Sequence, residues 1–531
     1  RVRRIRQAVA RLSPVAWASI RAVEPFPAEW ATACRSSAAR STDCTRVLSS
    51  PGGRTAQTLL DLMRDPRGMT ASQPAYASTN PATGEVTATF DFTTDDAIGS
   101  ALAAGASAFE TWRQLPIEER AALTQKIGDL FAERADELAR IAVEEMGKPL
   151  GEAVEEVEFC QAIFGYYAEH GPGLATDQPI TTFGGDEAVV QKRPIGLLLG
   201  VMPWNFPYYQ VARFTAPNLV LGNTMLLKHA ESVPRCAEAI QRIFDDAGVP
   251  AGVFRNVFAT FAQIETIIAD PRVQGVSLTG SERAGSTIAA VAGQHLKKCV
   301  LELGGSDPYV VLDTDDVEAA ATQAWGTRIY NTGQACNSNK RMIVMDDVYE
   351  PFVGKLVDLA SGLRPGDPAE GADGTFAPLS SRLALERLKE VVDDAVAHGA
   401  QLHVGGEAAD GPSAYYSPAV LTDVTPEMRA YREELFGPVA VVYKVSSDEE
   451  ALRLANDTPY GLGGAVFSTD PDRAARVAAG LDVGMANVNT PAGEGAEVPF
   501  GGVKRSGFGR ELGPLGMDEF VNKRLFYVKK S

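Results

Sequence analysis

Apolar side chains recur every three or four residues between Pro116 and Met146, at Leu123, Ile127, Leu130, Phe131, Leu138 and Ile141. That period predicts one long amphipathic helix, stopped by Gly147-Lys-Pro149, with a second helix over Gly151–Glu169. Ala188–Gln191 reads as a hairpin arm, and Ile195–Val201 is an unbroken apolar run with the length of a buried strand. The pattern then alternates: helix Tyr208–Leu221, strand Met225–Lys228, helix Arg235–Ala247, strand Val253–Phe258. Helix Phe261–Ala269, strand Gly275–Leu278, helix Arg283–Ala292 and strand Cys299–Leu303 continue it. Short apolar strands between helices of this length imply parallel βαβ units, hence an α/β fold with a doubly wound parallel sheet. A second series runs from Gly305 to about Gly502, with helices near 315–330, 347–362, 383–398 and 448–455. Glu519–Lys530 alternates apolar and polar positions (Phe520, Leu525, Tyr527), a terminal strand that needs a partner edge.

Composition narrows the function classes. The 531 residues exceed one simple core, and 45% hydrophobic with 22% charged residues is ordinary for a water-exposed globular chain. A formal charge of −18 argues against nucleic acid or an anionic membrane as partner. No apolar run approaches the ~20 residues that span a bilayer. Six scattered cysteines fit neither a disulfide framework nor a zinc site and suit a reducing cytoplasm. Five unclustered histidines leave no metal site in view. Residues 1–68 hold 12 arginines, no lysine and only 5 acidic residues. They read as a disordered extension or upstream sequence, with Met69 as a start.

The chemistry concentrates in two segments, Val300-Leu-Glu-Leu-Gly-Gly-Ser306 and Gly333-Gln-Ala-Cys-Asn337. A thiolate attacks carbonyl carbon readily, and a nearby carboxylate activates the water that later frees an acyl group. Cys336 and Glu302 are therefore the candidate nucleophile and base. The other cysteines read as buried small apolar residues. A carboxylate between Leu301 and Leu303 that runs into two glycines is unusual for a structural role.

These segments resemble the aldehyde dehydrogenase superfamily. Pro203-Trp-Asn-Phe-Pro207, Leu278-Thr-Gly-Ser281, Glu434-Leu-Phe-Gly-Pro438 and Pro499-Phe-Gly-Gly502 extend the resemblance in the family's order. It implies an oxidoreductase that takes an aldehyde to its acid through a thioester on Cys336, with Asn205 and the Cys336 N–H holding the oxyanion. It also implies a cofactor-binding domain over 69–175 and 195–304 and a catalytic domain over 305–504. A small β oligomerisation arm over 176–194 and 513–531 would pair with a neighbouring subunit, giving a homodimer or homotetramer. The implied cofactor residues are Trp204, Lys228, Glu231, Gly280, Ser281, Glu434 and Phe436. A carboxylate at Glu231 repels a 2′-phosphate, which favours NAD, with NADP still possible. Relatives that pass the acyl group to coenzyme A lack this glutamate, so Glu302 favours hydrolysis.

Met202–Pro207, Leu226–Ala230 and Leu301–Pro308 are most similar to bacterial succinate-semialdehyde dehydrogenases. That substrate ends in a carboxylate, for which Arg213 is the candidate clamp; an internal salt bridge is the competing reading. Some relatives carry an arginine six residues before the cysteine, where this chain has Tyr330. Glu494 and Glu497 would repel a dicarboxylic product if they faced the pocket. The alternatives are a dehydrogenase for another small aliphatic or aromatic aldehyde and, from another class, a catalytically silent structural or binding relative.

Overall fold

The computed structural model describes residues 76–493 and 495–530. The expectations for residues 1–68 and for Glu494 lie outside them. A six-stranded sheet has the order Gly507–Phe508, Lys298–Glu302, Val273–Thr279, Leu197–Val201, Thr224–Lys228, Phe254–Asn256. All its pairings are parallel except that of Gly507–Phe508. A seven-stranded sheet runs Gln401–Val404, Ala419–Thr422, Val439–Val445, Arg341–Met345, Pro308–Val311, Gly463–Phe467, Met485–Val488, antiparallel only at its first strand.

Alternation along each strand explains why these runs are apolar throughout. Successive side chains point to opposite faces, and helices cover both. Leu198, Met225, Leu227 and Val300 join the core beneath the helices Ile117–Glu133, Leu150–Leu174 and Tyr209–Leu221. Leu197, Leu199, Leu226 and Leu301 join the opposite core, beneath Asp95–Trp112, Phe261–Ala269 and Glu282–Gln294. In the second sheet Val310, Ile343 and Val441 face one core, while Tyr309, Met342 and Val442 face the other.

Two expectations are corrected. The single helix over 116–146 is two, Ile117–Glu133 and Ala135–Met146, divided at Arg134 (φ −107°, ψ 18°). Asp136 and Glu137 then lie in a first turn, where the helix dipole favours acids. The terminal strand Val521–Val528 finds its partner within the same chain. It pairs antiparallel with Glu187–Pro194, from Val521 opposite Pro194 to Val528 opposite Glu187. Gln178–Thr181 pairs on the far side of Glu187–Pro194, so the outer edge of Val521–Val528 stays open. The helices Asp95–Trp112 and Pro471–Ala478 had no counterpart in the sequence reading.

Candidate active site

In the six-stranded sheet the chain builds outward from Leu197–Val201, first toward Thr224–Lys228 and then, on the other side, through Val273–Thr279 to Lys298–Glu302. A crevice forms beyond the carboxyl ends of strands where the order reverses. Trp204 and Asn205 follow Val201 there, Gly280 and Ser281 follow Thr279, and Glu302 ends its own strand. Leu303–Asp307 then crosses to Pro308–Val311 in the second sheet, whose strand Arg341–Met345 follows closely on Cys336. The candidate groups meet where the two sheets join.

The loop before Cys336 is strained. Asn331, Thr332 and Gly333 all have positive φ (51°, 54° and 73°), a conformation that costs a non-glycine residue roughly 1–2 kcal/mol. Such strain persists only where the surroundings over-determine it. Glu152 accepts from the Asn331 N–H at 2.6 Å, and the Asn331 amide donates to Asn205 O at 2.9 Å and Gln334 O at 3.2 Å. Buried Arg328 donates to the carbonyls of Gly333, Leu435, Gly437 and Val439 and to the Ser338 hydroxyl. One set of hydrogen bonds thus ties the Cys336 loop to Glu434-Leu-Phe-Gly-Pro438.

The Asn205 amide donates to Gln334 O at 3.0 Å. An amide carries two N–H donors, so one remains for an oxygen at Cys336. The Cys336 N–H has no acceptor among the described residues. The thiol is pushed up to about 11 by burial, against the pull of Arg213 and Lys340; Glu434 and Asp307 add to the rise.

Glu302 is 2% exposed, and neither carboxylate oxygen has a hydrogen-bond partner among the described residues. Its side chain packs on Gly501, where a Cβ would lie 2.6 Å from Oε1. Burial, then the neighbouring Glu511, holds its carboxyl well above the ordinary range, opposed by Arg213 and Arg510. An unpartnered buried carboxylate needs a functional explanation.

A cavity of about 870 Å³ opens over the thiol. Cys336, Phe206, Tyr209, Tyr330 and Phe500 line it, together with Glu155 and Glu156. Tyr330 stacks on Phe206 with centroids 6.1 Å apart. Asn205 and Glu302, both buried, are not among the cavity's lining residues. Arg213 departs from the expected clamp: it is 1% exposed and does not line the cavity. Its Nε lies 2.7 Å from Glu511, it donates to Gln210, Tyr209 and Thr279, and its guanidinium sits over the rings of Tyr209 and Phe500 at 4.6 and 4.4 Å. The internal salt bridge is the reading the geometry supports. Even so, the field of Arg213 acts on both the thiol and Glu302.

On the crevice side, Ser281 caps Glu282–Gln294 by accepting from the Ala284 N–H at 3.3 Å. The remaining N–H groups of that helix end are suited to a phosphate. Lys228, buried at the end of its strand, pairs at 2.5 Å with the half-exposed Glu231. Trp204 meets Phe436 edge to face at 5.7 Å. Glu434 accepts from Gly305 N–H at 3.1 Å and passes close to Gly304, where a Cβ would collide with its carboxylate. The chemistry of these residues fits a dinucleotide: a helix N-terminus suits a phosphate, and the carboxylates of Glu231 and Glu434 can accept from hydroxyl groups. Sequence reading missed Lys340 and Glu511. A lysine soon after the cysteine, and a charged pair inside Gly509-Arg-Glu-Leu-Gly513, were the available signals.

A thiol on the wall of a cavity, beside a nucleotide-type crevice and with the Asn205 amide fixed to its loop, suits an enzyme that oxidises carbonyl compounds through a covalent adduct. Residues 69–525 match the model of the aldehyde dehydrogenase family, and the chain belongs to that family. It is 51% identical over 460 residues to a succinate-semialdehyde dehydrogenase [NADP(+)] of Deinococcus radiodurans, covering 87% of this chain and 96% of that protein. A succinate semialdehyde dehydrogenase [NAD(P)+] of Escherichia coli K12 is 42% identical, with 86% and 98% covered. The crystal structure of succinic semialdehyde dehydrogenase from Streptococcus pyogenes, in complex with NADP+, superposes with a TM-score of 0.83 at 41% identity, covering 86% and 100%.

Proposed function

We propose that this aldehyde dehydrogenase oxidises succinate semialdehyde to succinate. The observation that carries the chemistry is the cavity over Cys336, with the Asn205 amide fixed to the Cys336 loop at Gln334. The thiol gives up its proton, directly or by way of Glu302, to solvent, and the thiolate attacks the aldehyde carbon, with Glu302 left as the free carboxylate. The Asn205 amide and the Cys336 N–H receive the alkoxide. NAD(P)+, when bound, would supply the hydride acceptor, and loss of hydride from the adduct would leave the acyl group as a thioester on Cys336. Glu302 then deprotonates the water that attacks the thioester, the C–S bond breaks, and the acid leaves. Lys228, Glu231, Gly280, Ser281, Trp204, Glu434 and Phe436 hold the cofactor in this reading.

The substrate assignment rests on the relatives. Several are named for succinate semialdehyde, and the two most similar of those described above are named for NADP(+) or NAD(P)+. Glu231 favours NAD, but its carboxylate is exposed enough to turn away, so both cofactors are accommodated. A second reading, another small aliphatic or aromatic aldehyde, is favoured by the cavity wall. Among its described residues are several aromatic rings and two glutamates but no lysine or arginine. An NADH- or NADPH-linked screen of aldehydes decides between them. Succinate semialdehyde is expected to give the highest kcat/KM, and an aromatic aldehyde ahead of it establishes the second reading. Cys336→Ser is expected to remove turnover by at least about 10³-fold.

The protein also assembles with copies of itself in this reading. The open edge of Val521–Val528 exposes Leu525, Phe526, Tyr527 and Val528, and Ile180 and Phe183 are exposed on the hairpin that belongs to the same sheet. Among the described residues no helix is long and apolar enough to cross a membrane. Cys160, Cys236, Cys299 and Cys336 are free thiols, which fits a reducing, cytoplasmic setting.

A further inference from the structure

Beyond its pull on the thiol, Lys340 has no part in the chemistry described so far, and its surroundings are unusual for a lysine. Its side chain is 1% exposed. Nζ is 2.7 Å from Ala335 O, 2.8 Å from Cys336 O and 3.1 Å from Glu434 Oε1. An ammonium has three N–H donors, and these three acceptors use them all. Glu434 in turn accepts from the Gly305 N–H, and Nζ lies 5.7 Å from the centroid of the Phe436 ring.

We propose that Lys340 is a positioning residue that aims the backbone half of the oxyanion site and links it to the cofactor-side carboxylate Glu434. The Ala335 carbonyl and the Cys336 N–H belong to one planar peptide group and point in opposite directions. Fixing that carbonyl with a charged donor therefore fixes where the Cys336 N–H points. It also polarises the peptide, which makes the N–H a stronger donor to an alkoxide. The second bond, to Cys336 O, holds the next peptide and so clamps the Cα that carries the thiol on both sides. The lysine charge also favours the thiolate, while Glu434 opposes it. This inference deepens the proposed function and rests on Cys336 as the nucleophile.

The test uses the assembled full-length enzyme. Lys340→Met, Lys340→Gln and Glu434→Gln are compared by kcat per titrated active site and by the pH dependence of iodoacetamide alkylation, followed by mass spectrometry of the Cys336 peptide. Lys340→Met is expected to lower kcat about 10- to 100-fold and raise the alkylation midpoint by about one pH unit. Lys340→Gln keeps amide donors and falls between it and the wild type. Glu434→Gln moves the midpoint the other way, downward, because the lysine charge is no longer offset. A lysine that acts only through its charge would change the melting temperature and the alkylation midpoint, and leave kcat per site, measured above both midpoints, where it was. A kcat per site unchanged in Lys340→Met above both midpoints overturns the proposal. If neither lysine variant assembles, a midpoint that fails to fall in Glu434→Gln overturns it. Wild-type enzyme that keeps turning over after complete alkylation of Cys336 sinks the nucleophile assignment instead, a separate outcome.

Discussion

Glu302 and Glu511 are two buried carboxyls that share one guanidinium, that of Arg213. Of the two, Glu302 has no hydrogen-bond partner among the described residues, so its charged form is the less supported. Its folded-state value lies above the ordinary ~4.3 of an unfolded glutamate. The folded protein therefore binds this proton more tightly than the unfolded chain. The stability it contributes is complete below the ordinary carboxylate range and is lost as pH rises through the folded value. Glu302→Gln keeps the shape without the titration, so its melting temperature relative to wild type is expected to rise steadily from pH 5 to pH 9; scanning fluorimetry reads this, and a constant offset contradicts it. Steady-state turnover in the same variant should fall roughly 10²–10⁴-fold, while acyl-enzyme still forms. A rapid burst of reduced cofactor without sustained turnover is the expected signature. Cys336, Glu302, Asn205 and Glu434 were legible as separate motifs. For Arg213 an internal salt bridge was one of two readings, but its partner was not legible, because Glu511 lies in a distant segment and only folding sets the two 2.7 Å apart.

At the scale of elements, the turn Tyr330–Gly333 decides the geometry of the nucleophile. Gly333 combines a positive φ with a close approach to the Gly437 carbonyl that a Cβ would violate. Gly333→Ala is expected to displace the Cys336 loop and lower kcat by about 10²-fold, the scale of a 1 Å misplacement. Far-ultraviolet circular dichroism should remain that of the wild type, and activity within threefold of wild type would show that the turn tolerates the change. The strand–helix rhythm of the cofactor side was readable because buried parallel strands are apolar throughout. The break at Arg134 was not, since the apolar stripe runs on through it and only the non-helical backbone angles at Arg134 reveal it.

For the whole molecule, Gln178–Thr181, Glu187–Pro194 and Val521–Val528 form a sheet of their own with two open edges, of which Val521–Val528 is the longer. Open apolar edges invite another chain. Replacing Leu525 with Lys and Phe526 with Asp together is expected to yield monomers in size-exclusion chromatography with light scattering. Retention of the wild-type mass would exclude this edge from the assembly.

The amino-acid sequence by itself determined the α/β class and its two αβ series, and it singled out the candidate residues for the chemistry. Those features are local: they follow from apolar periodicity and from reactive side chains held in glycine-rich turns. Tertiary structure alone decided which charges are spent on one another, that Lys340 serves the peptide of Cys336, and that the terminal strand closes on its own chain. Pairings between distant segments depend on distances that no spacing along a chain encodes, because burial makes a charge bind whichever partner the fold brings within reach.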